Sequence, residues 1–169
     1  EECLDVLWGR IAQRGVKSVL LERRDGLQTH PKAHELSARS IEILHGLGFT
    51  WDELAEEASP HDDASRILFC GTLDEEFGRI DLLSGQGARK YREHLASPRP
   101  YLNVSQVEVE RRMLARVQAS EHIRVLYHHQ WERFAERTDA AVVSAVTDRA
   151  AEAELQVRSR FVVCADGAG

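Results

Sequence analysis

The sequence of 169 residues lacks the features that would assign it to several common classes of protein. No apolar run approaches the roughly 20 residues that a membrane-spanning helix requires, and no signal-peptide pattern opens the chain. Basic residues are outnumbered, with 22 Lys and Arg against 28 Asp and Glu, so the net charge is −6. Non-specific nucleic-acid binding needs a basic surface. We therefore expect neither a nucleic acid nor a membrane as partner.

Cysteine is also scarce in this chain. Cys3, Cys70 and Cys164 are odd in number and far apart, a pattern that indicates neither a disulfide framework nor a cysteine-based zinc site. We therefore expect a reducing, cytoplasmic location. A hydrophobic content of 43% and a charged content of 30% are typical of a soluble globular protein. The length suits one domain of ordinary size.

A glycine-rich phosphate-binding loop is absent from the start of the chain. Leu4, Leu7, Trp8 and Ile11 have the spacing of one helix face, Gly9 stands alone within it, and no strand precedes it. Gly15 is placed to end this helix. The chain therefore begins inside a helix instead of with a strand and a glycine-rich turn.

The segment that follows this helix carries the main candidate for a functional residue. Val16 to Glu22 is predicted to be a buried strand that ends abruptly in Glu22, Arg23 and Arg24. Ligands of open α/β sheets bind at the carboxyl ends of strands, where an acid accepts hydrogen bonds from a ribose diol. Glu22 is therefore our main candidate for nucleotide binding. Two other interpretations remain open: an acid that merely ends a strand, and the SAM-binding acid of a methyltransferase.

The middle of the chain mixes helices and strands. Leu36, Ile43, Leu44 and Leu47 mark a helix that ends at Gly48, and Thr50 to Glu53 reads as a capping box that starts a second, short helix. The next predicted elements are two strands, 67–70 and 77–83, with a turn between them, and then an irregular polar stretch, 84–100. A second capping box, 105–108, precedes a longer helix whose apolar stripe is Val109, Met113 and Val117.

The last third is predicted to be a β meander followed by one buried strand. Four strands are expected at 123–127, 131–136, 140–147 and 152–157, the last with the alternation of a half-exposed antiparallel strand. Phe161 to Cys164 is continuously apolar, as in a strand buried on both faces, and leads into Asp166 and Gly167. The pattern as a whole indicates an α/β fold that includes a segment of antiparallel strands.

Four segments of the sequence resemble the FAD-binding domain of flavin-dependent aromatic hydroxylases, the monooxygenases of the p-hydroxybenzoate hydroxylase and phenol hydroxylase type. They are residues 21–24, 30–44, 102–110 and 161–168, in the order of that family. The resemblance implies a Rossmann-like FAD-binding domain with an antiparallel β meander, lacking its first strand and glycine-rich loop. We expect residues 1–169 to be one partial domain, cut at both ends, with residues 60–104 as a possible excursion toward a substrate domain.

The resemblance also implies roles for individual residues. Glu22, with Arg23 beside it, would bind the ribose of the adenosine half. Lys32 stands where the family usually has arginine and would lie near the pyrophosphate or the flavin, although a lysine cannot reproduce the bidentate grip of arginine on phosphate. Gln106 would reach the cofactor from a helix start, where free backbone N–H groups also favour an anion. Asp166 and Gly167 would hydrogen-bond the ribityl chain.

Simpler interpretations of these residues remain open. Lys32 is equally consistent with a solvated loop residue, Gln106 with a surface residue, and Asp166 with Gly167 with an ordinary turn. Arg39 contacts either the cofactor or solvent. No metal site is expected, because Pro31 separates His30 and His34 and no third ligand is evident.

The activity implied by the resemblance is an FAD- and NAD(P)H-dependent monooxygenase that uses molecular oxygen to hydroxylate a small phenol-like aromatic. No catalytic side chain is assignable, and the segment alone is expected to bind FAD weakly and to be inactive. The alternative is a non-catalytic nucleotide-binding or interaction module. The methyltransferase interpretation leaves Asp166 without a role. The substrate, the choice of NADH or NADPH and the oligomeric state stay open. An absent first strand would leave two inner strand edges unpaired, so we expect poor solubility.

Overall fold

The computed structural model describes residues 10–27, 29–30, 32–60, 63–82, 89, 97 and 100–165. The chain divides into two compact units, the first formed by Glu1–Thr29 with Glu110–Gly169 and the second by His30–Val109. In chain order the elements are α1 (described over residues 10–12), β1 (Ser18–Leu21), β2 (Glu35–Leu36), α2 (Ala38–Gly46), α3 (Trp51–Ala55), β3 (Arg66–Thr72), β4 (Glu75–Asp81), β5 (Leu102–Asn103), α4 (Gln106–Gln118), β6 (Ile123–Leu126), β7 (His129–Arg137), β8 (Val142–Asp148) and β9 (Ala153–Ser159).

The first unit contains a parallel pair of strands. Gly15 ends the α1 region with a φ of +67°, a backbone conformation that glycine adopts without steric cost. β1 then pairs in parallel with β6, in a register that places Ser18 opposite Ile123 and Leu21 opposite Leu126. Both strands were predicted from the sequence. Among the described residues no strand pairs with the other edge of β1.

The first unit also contains the antiparallel meander that the sequence predicts. β8 lies between β7 and β9 in a three-stranded sheet. Ala145 and Val146 at the centre of β8 are fully buried. Along β9 the half-buried Leu155 and Val157 alternate with exposed neighbours, as expected. In α4, Met113 and Val117 are buried, which confirms the apolar stripe predicted for this helix.

The end of α2 and the start of α3 in the second unit lie where the sequence predicts them. The Ser37 hydroxyl accepts a hydrogen bond from the Ser40 N–H at the start of α2, and Gly48, with a φ of +89°, follows its end. Leu36 lies in β2 and not in this helix as predicted, because Ser37 caps the helix after it. α3 has the complete capping box expected from Thr50 to Glu53. The core of this unit is apolar: Leu36, Ile41, Leu44, Leu47, Phe49, Leu54, Tyr101, Leu102, Val104 and Val109.

A two-stranded hairpin, β3 with β4, extends from the second unit. Both strands were predicted, and Leu73 and Asp74 form the turn between them. Every residue of the two strands except Gly78 is exposed. The exposed apolar side chains of this hairpin are Ile67, Leu68, Phe69, Leu73, Phe77 and Ile80.

The strand predicted at Phe161–Cys164 is not formed. These residues belong to no strand, the side chains of Phe161 and Val163 are 77% and 47% exposed, and Cys164 is exposed. An extended segment becomes a buried strand only when neighbouring strands satisfy its backbone groups and cover its side chains. Within the described part of the chain no strand pairs with this segment, so its apolar sequence alone does not bury it.

Candidate functional site

Glu22 lies directly after the carboxyl end of β1, where the sequence predicts a ligand-binding acid. Its N–H donates to the Leu126 carbonyl at 3.0 Å, which continues the β1–β6 ladder by one step. Its carboxylate Oε1 accepts a hydrogen bond from the Arg24 N–H at 2.8 Å. Oε2 has no hydrogen-bond partner among the residues that the structure describes. The half-buried carboxylate is therefore fixed by one oxygen and can accept hydroxyl donors with the other.

The two residues after Glu22 are both arginines. Arg23 is exposed and Arg24 is half-buried. The Arg23 carbonyl accepts from Nη1 of Arg149 at 3.4 Å, and the Arg24 carbonyl accepts from the His128 N–H at 2.9 Å. The segment is therefore held by its backbone, and the Arg23 side chain makes no hydrogen bond or ion pair within the described part of the chain.

The turns of the meander lie against this segment. The His129 N–H donates to the Glu22 carbonyl at 2.9 Å, and the carbonyl of His128 accepts from the Arg149 N–H at 2.8 Å. Nδ1 of the His129 ring is 2.6 Å from the Tyr127 carbonyl; because a carbonyl only accepts, Nδ1 carries the hydrogen. None of these contacts of His128 and His129 was predicted from the sequence.

Asp148 lies on β8, opposite His129 of β7, and shapes the turn between β8 and β9. Its Oδ1 accepts from the N–H groups of Ala150 at 3.0 Å and Ala151 at 3.1 Å. These bonds, that of Ala151 foremost, and the nearby His129 and His128 rings hold the pKa of Asp148 below its ordinary value. The carboxylate is therefore ionised at neutral pH and caps the turn.

A solvent-open groove of about 540 Å³ runs beside β1 in the first unit. Val19, Leu126, Leu155 and Val157 supply its apolar walls, and His129 and Asp148 contribute polar groups to its lining. The strand that carries Glu22 at its end therefore also forms one side of this groove.

In the second unit, Gln106 is joined to the loop that carries Lys32. The Gln106 N–H donates to the Ala33 carbonyl at 2.9 Å, and its side-chain Oε1 accepts from the Ala33 N–H at 3.3 Å. Lys32 itself is exposed. Because Ala33 uses the first N–H of α4, that donor is not available to an anion, contrary to the expectation of free N–H groups there.

Arg39 forms a surface ion pair on α2. Its Nη1 lies 2.8 Å from Oε2 of Glu42, one helical turn away. This hydrogen bond is the main cause that lowers the pKa of Glu42, with a smaller contribution from Ser97. The Arg39 side chain is solvent-exposed and paired within its own helix, an arrangement that contributes little to stability.

The remaining candidates of the sequence are placed as follows. Asp166 and Gly167 lie outside the described residues. Within the described ranges, no three His, Cys, Asp or Glu side chains lie close enough together to share a metal ion. No helix in the described part of the chain has both the length and the apolar character needed to cross a membrane.

Comparison with known proteins identifies relatives for nearly the whole chain. A family model described as "FAD binding domain" matches residues 9–169. The 2,4-dichlorophenol 6-monooxygenase of Cupriavidus pinatubonensis is 29% identical over 159 residues, and the phenol 2-monooxygenase of a Pseudomonas species is 26% identical over 164. Each match covers 94% of this chain and 26% of the relative. The chain therefore spans about a quarter of the length of these curated relatives.

Solved structures agree with the sequence comparison. The flavin-dependent monooxygenase PieE, in complex with FAD and substrate, matches with a TM-score of 0.84 and 26% identity over 95% of this chain and 28% of its own. Aklavinone-11 hydroxylase with FAD and aklavinone matches with a TM-score of 0.74 over 96% and 30%. Its 19% identity makes that likeness one of fold alone. The chain belongs to the FAD binding domain family and is similar to that part of flavin-dependent, phenol-type monooxygenases.

Proposed function

We propose that this chain binds FAD as part of a monooxygenase that hydroxylates a phenol-like aromatic substrate. The observation that carries the proposal is the Glu22 carboxylate at the end of β1, with Oε1 held by the Arg24 N–H and Oε2 open to a ligand. A ribose diol presents two adjacent hydroxyl donors, which suits a carboxylate held in this way. The names of the relatives, a phenol monooxygenase and a dichlorophenol monooxygenase, support the substrate class.

The residues proposed for FAD come from separate segments of the sequence. Glu22 and Arg23 would bind the adenosine half, and Asp166 with Gly167 the ribityl chain. Lys32 would approach the pyrophosphate or the flavin from the loop that Gln106 holds through Ala33. Arg39 has the weakest support, because Glu42 already engages its guanidinium. We further propose that residues 1–169 form part of one FAD-binding domain and that residues 60–104 reach toward a substrate domain.

The proposed overall reaction consumes NAD(P)H, a proton and molecular oxygen. One oxygen atom enters the aromatic ring as a hydroxyl group and the other leaves as water, while NAD(P)H is oxidised to NAD(P)⁺. Bound FAD supplies the transfer of electrons to oxygen. The side chains of this chain bind and orient the cofactor. None of the described side chains is assigned to the reacting atoms.

The proposal is tested by titrating the full chain, meaning the complete natural protein that contains these residues, with FAD and following the quenching of flavin fluorescence. We expect Glu22→Gln to raise the Kd about ten- to a hundredfold, because losing hydrogen bonds to a charged acceptor costs about 1.5–3 kcal/mol and 1.4 kcal/mol is a factor of ten. Glu132→Gln is the matched control, since Glu132 is an exposed carboxylate on β7 with no hydrogen bond among the described residues. Equal affinities for the wild type and both variants would contradict the role of Glu22.

The catalytic part of the proposal needs a separate measurement. Oxidation of NAD(P)H by the complete natural protein, loaded with FAD, is followed at 340 nm with and without added phenol. We expect phenol to accelerate the oxidation and a hydroxylated product to accumulate. A chain that binds FAD tightly without any phenol-dependent oxidation would instead favour the non-catalytic module.

A further inference from the structure

The segment that carries Glu22 continues past the end of β1 and is held there by the meander. The N–H of Glu22 donates to the Leu126 carbonyl at 3.0 Å, and the Glu22 carbonyl accepts from the His129 N–H at 2.9 Å. Two residues later, the Arg24 carbonyl accepts from the His128 N–H at 2.9 Å. The carboxylate of Glu22 is therefore positioned by the turn between β6 and β7 as well as by its own strand.

The turn between β6 and β7 is held by contacts with the turn between β8 and β9. His128 has a φ of +59°, a left-handed conformation that is strained for a residue with a side chain. Its carbonyl accepts from the Arg149 N–H at 2.8 Å, while the Arg149 guanidinium donates to the Arg23 carbonyl at 3.4 Å. Arg149 thus bonds both the strained turn and the residue next to Glu22.

Asp148 fixes the geometry of the turn that presents Arg149. Both capping bonds, from Ala150 and Ala151, go to the same oxygen, Oδ1. An asparagine side chain has a carbonyl oxygen at the same position and can accept both bonds, whereas alanine can accept neither. Substitutions at this position therefore separate the capping function from the negative charge.

We propose that the β8–β9 turn, through Asp148 and Arg149, is a positioning element for the Glu22 carboxylate. The inference rests on the proposed role of Glu22 in FAD binding. Arg149 and Asp148 act on cofactor affinity through the backbone of residues 22–24. Neither needs to touch the cofactor, and their effect requires the Glu22 carboxylate to be present.

The decisive experiment is a double-mutant cycle on FAD affinity in the full chain. Arg149→Ala removes the hydrogen bond that the exposed Arg149 side chain donates to the Arg23 carbonyl. We expect the Kd for FAD to rise about three- to tenfold, the effect of one lost hydrogen bond. In a Glu22→Ala background the same substitution is expected to change the Kd less than twofold, because residues that act through one another are not additive. Arg158→Ala, an exposed arginine on β9, is the control and leaves the Kd unchanged.

The Asp148 variants supply a second, independent readout. Asp148→Asn is expected to keep FAD affinity within about twofold of the wild type, and Asp148→Ala to weaken it about three- to tenfold by the loss of the two capping bonds. Circular dichroism shows whether Asp148→Ala remains folded; if it does not, the Arg149 cycle alone decides.

Two outcomes would overturn the inference. The first is an equal loss of affinity from Arg149→Ala with and without Glu22, which would mean that Arg149 acts independently of the carboxylate. The second is a folded Asp148→Ala variant with wild-type affinity. A wild-type chain that binds no FAD would overturn the proposed function itself, a result distinguishable from both because it needs no variant.

Discussion

Thr50 and Glu53 bind each other at the start of α3 through three hydrogen bonds. The Thr50 N–H donates to Glu53 Oε2 at 2.7 Å, the Thr50 hydroxyl donates to the same oxygen at 2.9 Å, and the Glu53 N–H donates back to the hydroxyl at 3.2 Å. These bonds satisfy backbone donors that a helix start otherwise leaves unpaired. Local chemistry of this kind is readable from the sequence, because all its partners lie within one helical turn.

Substitution of Thr50 tests this cap. We expect Thr50→Ala to lower the free energy of unfolding by about 1 kcal/mol, the usual cost of losing an N-cap side chain, and Thr50→Ser to lower it far less because the hydroxyl remains. Urea denaturation followed by circular dichroism measures both. Equal losses for the two variants would show that the hydroxyl does not cap α3.

Asp148 gives a prediction about pH. Its pKa is lowered in the folded protein, chiefly by the Ala151 N–H and also by the Ala150 N–H and the His129 and His128 rings. Its carboxylate therefore favours folding above the ordinary pKa of about 3.9, and this contribution is lost as the pH falls through the lower folded value. We expect the wild type to be more stable than Asp148→Asn at neutral pH and the gap to narrow below about pH 4. Thermal melts from pH 7 to pH 3 measure this gap; one that stays constant would contradict the assignment.

Among the elements, several features specified by local sequence were predicted well. The end of α2 near Gly48, the capping box of α3, the alternation of β9 and the apolar stripe of α4 depend on residues close together in the chain. The contacts that build the candidate site are different: Arg149 meets Arg23 across 126 residues, and Gln106 meets Ala33 across 73. The sequence contains no short-range signal for such pairings, so it identified Glu22 and Gln106 as candidates but not what holds them.

The segment at Phe161–Cys164 shows the opposite error. Its unbroken apolar sequence predicted a buried strand, yet Phe161 is 77% exposed and no described strand pairs with it. An apolar sequence shows that a segment needs neighbouring elements to cover its side chains. The segment is buried only where those neighbouring elements are present. The same reasoning applies to the open edge of β1.

The β3–β4 hairpin offers an element-scale test of exposed apolar surface. Leu73 and Phe77 are 102% and 74% exposed, so replacing both with serine removes apolar surface that promotes association while leaving the core intact. We expect the double variant to be less prone to associate, by dynamic light scattering, with an unchanged circular dichroism spectrum. Leu54→Ser, at a buried position, is the contrasting control and should unfold the chain. Unchanged association of the double variant would contradict the role of the hairpin.

At the scale of the whole molecule, the exposed Phe161 segment and the hairpin present apolar surface, and one edge of β1 pairs with no strand in the described part of the chain. Unpaired strand edges and exposed apolar residues favour association between chains. We therefore expect the 169-residue chain by itself to self-associate at micromolar concentration, as measured by analytical ultracentrifugation. A monomeric chain with a single cooperative melt would show that these surfaces are already covered.

The Glu22 carboxylate is proposed to bind the ribose diol of FAD. The most direct measurement compares ADP with 2′-deoxy-ADP as competitors for FAD in the full chain, using the wild type and Glu22→Gln. We predict that the wild type binds ADP about tenfold more tightly than 2′-deoxy-ADP, the effect of one hydrogen bond to a charged acceptor, and that Glu22→Gln loses this preference. A wild type that binds both nucleotides equally, or a variant that keeps the preference, would contradict the claim.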